Sequence, residues 1–192
     1  MLDYGFVIAG FGGQGLLFAG KFLAYAGLLE NREVSWLPSY GPEMRGGTAN
    51  CNVILSDDPI GSPIVSKPNV LMVMNGPSLD RYENSVYIGG RAFVDSTLVT
   101  RKIVRDDIYG IYVPATKMAD DMGISGLANM ILIGSIIRQT KCIKEETIVE
   151  ALKKVIPASK ANLFDANYKA VRAGLDYEVK EDSYGNDIRH DW

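Results

Sequence analysis

Residues 4–20 read YGFVIAGFGGQGLLFAG, and this stretch decides the fold. Its first six residues are a short apolar run, typical of a strand that is buried on both faces of a sheet. Gly10, Gly12 and Gly15 then satisfy the pattern G-x-G-x-x-G, and an apolar helix is predicted over residues 16–29. Strand, glycine turn and helix in this order predict the first crossover of a parallel α/β sheet.

The rest of the chain supplies further strands and then helices. Strands are predicted over residues 33–37, 48–56, 70–74, 92–95 and 109–113. A short helix capped by Ser78 is predicted to run through residue 82, and longer helices over residues 127–139, 145–155 and 161–177. Gly89-Gly90 could close a hairpin from residues 86–88, but a parallel strand after this pair is favoured.

These elements predict an α/β fold. We expect a three-layer, mostly parallel Rossmann-like sheet with helices on both faces and a helical C-terminal third. Residues 1–178 are expected to form a single α/β domain, followed by a polar C-terminal tail over residues 179–192.

Composition narrows the function classes. Of the 192 residues, 47% are hydrophobic and 22% are charged, and the formal net charge is −3, so nothing favours a nucleic-acid partner. No stretch approaches the roughly 20 apolar residues of a membrane span. The start of the chain lacks the basic and long apolar segments of a secretory signal. We therefore expect a cytoplasmic protein with no membrane partner.

The cysteine and histidine content limits the chemistry of the chain. Cys51 and Cys142 lie far apart in sequence, and His190 is the only histidine. An iron–sulfur cluster takes about four thiolates, and a zinc ribbon needs at least a C-x-x-C pair. No catalytic residue and no metal site is therefore predicted on this chain.

The glycine turn is suited to an anionic ligand, because backbone N–H groups at a helix start attract phosphates. An NAD site also needs an acid about 20 residues further on, at the end of the second strand, to bind the ribose. That strand ends in Leu37-Pro38-Ser39, without a carboxylate. A self-contained NAD(P)-binding oxidoreductase is therefore the weaker alternative.

A second glycine-rich loop follows in residues 38–53, PSYGPEMRGGTANCNV. Arg45 carries a permanent charge, and Asn50 lies on the polar face of the next strand. In a doubly wound sheet, this loop and the glycine turn lie side by side at the carboxyl edge, where ligands bind. A surface ion pair with Glu43 is the alternative for Arg45, and close packing is the alternative for the glycines. The predicted ligand-binding residues are Gly12, Gly13, Gln14, Gly15, Ser39, Tyr40, Arg45, Gly46, Gly47 and Asn50.

Several motifs in this order resemble the gamma subunit of the 2-oxoacid:ferredoxin oxidoreductases. They are GFGGQG from Gly10, SYGPEMRGGTAN from Ser39, Ser62-Pro63, NGPSLDRY from Asn75 and GGRAFVDSTL from Gly89. The similarity extends from Gly10 to about Val171. It implies a subunit of a thiamine-diphosphate enzyme that converts a 2-oxoacid and coenzyme A to acyl-CoA and carbon dioxide, with electrons passed to ferredoxin.

The resemblance also implies partners. Alpha and beta subunits would hold thiamine diphosphate and magnesium, and iron–sulfur clusters would lie on beta or on a ferredoxin-like delta chain. Coenzyme A would be the ligand of this chain, since its phosphates suit two glycine loops and Arg45. A purely structural subunit remains open, as does the indolepyruvate branch, although SYGPEMRGG fits the 2-oxoglutarate or branched-chain type better. The apolar residues 16–29 and 127–137 predict an interface, with a possible homodimer in isolation.

Overall fold

The computed structural model describes residues 3–39 and 48–179. The predicted site residues Tyr40, Arg45, Gly46 and Gly47, and most of the predicted tail, lie outside the described residues. The described residues contain one sheet of six strands, in the order β2-β3-β1-β4-β5-β6. The strands are β1 (Tyr4–Phe11), β2 (Glu33–Ser39), β3 (Thr48–Ser56), β4 (Val70–Val73), β5 (Arg91–Asp95) and β6 (Tyr109–Val113).

The sheet is mixed, with a parallel majority. β1, β4, β5 and β6 pair in parallel, whereas β3 pairs antiparallel with both β1 and β2. β5 follows Gly89-Gly90 as a parallel strand, so the favoured alternative to a hairpin is confirmed. The predicted α/β sheet is confirmed, but β3 separates β1 from β2. The eight residues 40–47 are too few for a parallel crossover, which takes a dozen or more, so β3 returns antiparallel.

Helices cover both faces of the sheet unequally. One face carries α1 (Leu16–Leu29), α3 (Ala115–Asp121), α4 (Ala128–Thr140), α5 (Thr147–Val155) and α6 (Phe164–Asp176). The other face carries α2 (Gly76–Tyr82), which contributes the buried Leu79. Short 3₁₀ segments at Glu83–Ser85 and Ala158–Leu163 follow α2 and precede α6. The predicted helical C-terminal third is therefore present.

Successive side chains of a strand point to opposite faces of the sheet, and the two faces carry different apolar clusters. In β1, Phe6 and Ile8 enter the large cluster beneath α1 and α4, while Val7 and Ala9 enter the smaller cluster beneath α2. In β3, the predicted alternation is confirmed: Ala49, Cys51, Val53 and Leu55 are buried, and the residues between them up to Ile54 are half-buried. Because β1 is apolar on both faces, it lies in the interior of the sheet, between β3 and β4. The position of β1 in turn sets the position of the glycine turn that follows it.

Two local predictions were wrong. The cap of α2 is Asn75, whose side-chain Oδ1 accepts a 2.7 Å hydrogen bond from the backbone N–H of Ser78. Asn75 has the extended backbone of an N-cap, and Ser78 already lies inside the helix. Residues 127–137 were expected to leave apolar surface for an interface. Instead, residues 128–137 are all buried, because α6 packs over α4.

Candidate functional site

The glycine turn between β1 and α1 is open on its outer side. A Cβ built at Gly12 or at Gly13 meets no described atom within 4 Å. Gly13 and Gly15 have φ values of 91° and 72°, in the left-handed region that favours glycine. A residue with a side chain would therefore strain this turn. The backbone of the turn is accessible to a bulky ligand.

The start of α1 offers unsatisfied donors to such a ligand. The first N–H groups of a helix have no partner within it, and no side chain caps α1 at Gly15. The first turn of α1 contains no acidic residue. The positive end of the helix dipole therefore faces the open turn without a fixed negative charge in that first turn.

The side chain of Gln14 holds the glycine turn in place through two hydrogen bonds. Its Oε1 accepts a 2.6 Å hydrogen bond from the N–H of Phe11, and its Nε2 donates to the carbonyl oxygen of Met74 at 3.1 Å. Both ends of the amide are thus engaged within the chain. A Cβ at Gly10 would overlap Gln14 Oε1 and approach the Cβ of Met74 to 3.1 Å, so Gly10 allows the brace to form. Gln14 consequently ties the glycine turn to the end of β4.

The carboxyl ends of β1 and β4 form the topological switch point of the sheet. These strands are parallel neighbours, but the chain leaves β1 toward α1 on one face and leaves β4 toward α2 on the other. Diverging loops open a crevice at such a point, and this is where ligands bind in open α/β sheets. Among the described residues, the crevice is therefore bordered by the glycine turn and by residues 74–78.

Polar groups missed by sequence reasoning lie beside this crevice. Asn75 Nδ2 and Ser78 Oγ are buried and find no hydrogen-bond partner among the described residues. A Cβ at Gly76 also meets no described atom within 4 Å. The sequence NGPS after a buried strand could have indicated this turn. The sequence does not reveal that β4 lies next to β1, and that neighbourhood is what brings the turn to the site.

Asn129, near the start of α4, is a further residue that sequence reasoning missed. Its Nδ2 donates a 2.9 Å hydrogen bond to the carbonyl oxygen of Gly15, and its side chain is almost fully buried. A Cβ at Gly15 would lie only 2.6 Å from that same nitrogen. The glycine and the asparagine therefore fit each other, and α4 fixes the entry into α1.

Ser39 on β2 and Asn50 on β3, two of the predicted site residues, lie at the edge of the sheet that carries the glycine turn. Ser39 pairs with Asn50, and Asn50 pairs with Ala9 two residues before the end of β1. Neighbouring strands are about 4.8 Å apart, so Ser39 lies about 10 Å from β1. Ser39 and Thr48, the described residues on either side of the segment that contains Arg45, both lie at this edge. In an ordinary dinucleotide site, the strand that carries the ribose-binding acid is the direct neighbour of β1. Here β3 lies between β1 and β2, so an acid at the end of β2 would be too far away for that contact.

Both cysteine thiols are buried and expected to be unreactive. Burial raises the pKa of Cys51 to about 12 and that of Cys142 to about 11, so both stay protonated at neutral pH. Neither thiol is paired in a disulfide. Within residues 3–39 and 48–179, no group of three His, Cys, Asp or Glu side chains is arranged to hold a metal ion. The helices of these ranges are also too short or too polar to cross a membrane.

Comparison with known proteins identifies relatives over nearly the whole chain. Residues 5–177 match the family described as pyruvate ferredoxin/flavodoxin oxidoreductase. A ketoisovalerate oxidoreductase subunit VorA from Methanothermobacter thermautotrophicus is 39% identical over 171 residues, which cover 88% of this chain and 35% of VorA. A 2-oxoglutarate synthase subunit KorC from Methanocaldococcus jannaschii is 35% identical over 153 residues, covering 78% of this chain and 82% of KorC. The chain thus spans about a third of the VorA subunits that it matches.

Solved structures share the fold. The gamma subunit of a keto/oxoacid ferredoxin oxidoreductase from Geobacter sulfurreducens gives a TM-score of 0.80 at 26% identity, over 92% of this chain and 96% of that chain. A 2-oxoglutarate:ferredoxin oxidoreductase from Magnetococcus marinus, solved with 2-oxoglutarate, coenzyme A and succinyl-CoA bound, also gives 0.80. It is 21% identical over 91% of this chain and 31% of that chain, so this second likeness concerns the fold alone.

The resemblance inferred from the motifs is confirmed by these matches. The family match spans residues 5–177, and the KorC relative aligns along most of its own length. The glycine turn lies inside the matched region. This chain belongs to the pyruvate ferredoxin/flavodoxin oxidoreductase family.

Proposed function

We propose that this chain is the gamma-type subunit of a thiamine-diphosphate-dependent 2-oxoacid:ferredoxin oxidoreductase, and that its glycine turn binds the phosphates of coenzyme A. The complex would convert a 2-oxoacid and coenzyme A to acyl-CoA and carbon dioxide, with electrons passed to ferredoxin. The names of the VorA and KorC relatives support a 2-oxoacid as substrate. The open backbone at Gly12 and Gly13, at the start of an uncapped helix, carries the proposal for this chain's own role.

The chemistry of coenzyme A matches the donors at this edge. Its pyrophosphate would accept hydrogen bonds from the first N–H groups of α1, which lack intrahelical partners. The 3′-phosphate would pair with Arg45, whose segment is attached to the same edge through Ser39 and β3. No acid after β2 is needed when a ribose phosphate is recognised.

The remaining cofactors are assigned to partner chains. Thiamine diphosphate, magnesium and iron–sulfur clusters would be held by the alpha and beta subunits and a ferredoxin-like delta chain, and they would supply decarboxylation and electron transfer. The two buried, protonated thiols of this chain are poor cluster ligands. We therefore expect the isolated chain to reduce no dye with any 2-oxoacid and coenzyme A. Dye reduction by the pure chain would contradict the assignment.

Arg45→Ala and Gly13→Val, each in the assembled complex, test the coenzyme A site. Loss of a charge-assisted phosphate contact of about 1.5–3 kcal/mol should raise the KM for coenzyme A about ten- to a hundredfold. The KM for the 2-oxoacid should change little, because its site would lie on other chains. Gly13→Val should act more strongly, since a side chain would block the approach of a phosphate. Arg138→Ala is the matched control, an exposed arginine near the C-terminal end of α4.

A purely structural subunit is the second candidate. The large apolar side chain of Phe11 is 41% exposed beside the turn, as a docking surface for a partner would require. Under this alternative, Arg45→Ala would loosen assembly and lower all activity, with the KM for coenzyme A unchanged. Native mass spectrometry of the variant complex, combined with the coenzyme A titration, separates the two. An unchanged KM in a fully assembled complex would rule out ligand binding by Arg45.

A further inference from the structure

A second concave site lies at the edge of the sheet opposite to the glycine turn. It is a cavity of about 340 Å³, a size typical of small-molecule sites. Tyr4, Val70 and Arg91, at the starts of three parallel strands, line it together with residues 139–141 at the end of α4. Since Tyr4 and Phe11 are the two ends of β1, the cavity and the glycine turn are separated by the length of a strand.

Among the residues that the structure describes, the cavity is lined by two positively charged side chains, Arg91 and Lys141, and by no carboxylate. Neither cation has an ion-pair partner among the residues that the structure describes. The guanidinium carbon of Arg91 lies 5.6 Å from the centre of the Tyr109 ring, a contact that helps to fix this side chain. In a chain with a net charge of −3, these two cations form a locally positive region.

Most of the remaining cavity surface is apolar, although Asn69, Gln139 and Thr140 also line it. Tyr87 and Ile88 form its rim and are 59% and 69% exposed, unusually high for such large side chains. The ring of Tyr4 is held by its hydroxyl group, which donates a 2.6 Å hydrogen bond to the carbonyl oxygen of Thr140. A ligand that suits these walls has an apolar body and a single negative group.

We propose that this cavity binds a small monocarboxylate with an aryl or branched alkyl body. Arg91 and Lys141 bind the carboxylate, and Tyr4, Tyr87 and Ile88 cover the apolar body. A dicarboxylate binds less well, because its second charge would lie against mostly apolar walls without a cationic partner. The site is independent of the proposed coenzyme A site.

Isothermal titration of the full chain with 3-phenylpropanoate tests the proposal. We expect saturable binding of one molecule per chain, and binding at least about tenfold weaker for the neutral 3-phenylpropanamide and for the dicarboxylate glutarate. Arg91→Gln should raise the Kd of 3-phenylpropanoate about tenfold, a modest effect because the site is partly open to water. Arg138→Gln removes the same charge from an exposed side chain that does not line the cavity, and should leave the Kd within about twofold.

Ile88→Glu provides a second variant in case Arg91→Gln disturbs β5. The side chain of Ile88 is exposed on the rim, so the fold should tolerate the change, while the new carboxylate should abolish binding. Absence of saturable binding to the unmodified chain would overturn the proposal. So would unchanged affinity in both cavity variants, or equal affinity for glutarate.

Discussion

Gly134 of α4 and Gly174 of α6 lie against each other with no side chain between the two helix backbones. A Cβ at Gly134 would overlap the carbonyl oxygen of Val171 and lie 2.9 Å from the Cα of Gly174. A Cβ at Gly174 would overlap the carbonyl oxygen of Ile131. Only glycine allows the helices to approach so closely. This contact brings α6 over α4 and explains why the apolar α4 is buried within the chain.

Gly134→Ala should therefore destabilise the protein, although alanine is the better helix former by about 1 kcal/mol. Overpacking against a rigid backbone should lower the free energy of unfolding by about 2–3 kcal/mol, as measured by urea denaturation. Gly61→Ala is the control, because a Cβ at Gly61 meets no described atom within 4 Å, and it should change stability by less than about 0.5 kcal/mol. Equal stability of the two variants would show that the helices can separate without cost.

Asn129 should affect both stability and ligand binding. Asn129→Ala removes the hydrogen bond to the Gly15 carbonyl and should lower the free energy of unfolding by about 1 kcal/mol. Asn129→Asp should in addition weaken coenzyme A binding by the assembled complex, because it places a negative charge beside the glycine turn. Titration of both variant complexes with coenzyme A compares the effects. If alanine and aspartate change the affinity equally, the turn is not an anion site.

Glu83 anchors the connection between β5 and β6. Its Oε1 accepts a 2.6 Å hydrogen bond from the N–H of Val104, and its Oε2 pairs with Arg101 at 2.8 Å. Because Glu83 is buried, Glu83→Gln should cost about 2 kcal/mol and speed amide hydrogen exchange in residues 101–107. Glu150→Gln breaks an exposed pair with Lys153 and should cost less than about 0.5 kcal/mol. Unchanged exchange in Glu83→Gln would contradict the anchoring role.

Alkaline pH should destabilise the protein through its buried thiols. The folded-state pKa values of about 12 for Cys51 and 11 for Cys142 lie above the unfolded value of 9.0. The unfolded chain therefore loses protons first, and this stabilisation is complete below pH 9 and lost as the pH rises toward 11–12. We expect a loss of about 2 kcal/mol per thiol between about pH 8 and pH 10.5. Cys51→Ala should flatten this dependence in urea titrations, and an unchanged slope would show that the thiol ionises without unfolding.

Local patterns in the sequence determined much of this protein. The apolar run before Gly10, the glycine spacing and the apolar helix 16–29 predicted β1, its turn and α1, because these features depend on residues close together in the chain. The alternation in residues 48–56 predicted which face of β3 is buried. The ordered motifs indicated the family to which the chain belongs.

The tertiary structure alone decided which of these elements meet. β3 lies between β1 and β2, and β4 takes the other side of β1, so the turn at Asn75 borders the crevice. Asn129 reaches Gly15 across 114 residues of sequence, and Gly134 fits Gly174 because two helices cross there. Such contacts follow from strand order and helix packing, which minimise exposed apolar surface over the whole chain. No short stretch of sequence contains that information, whereas strand and helix formation depends mainly on near neighbours.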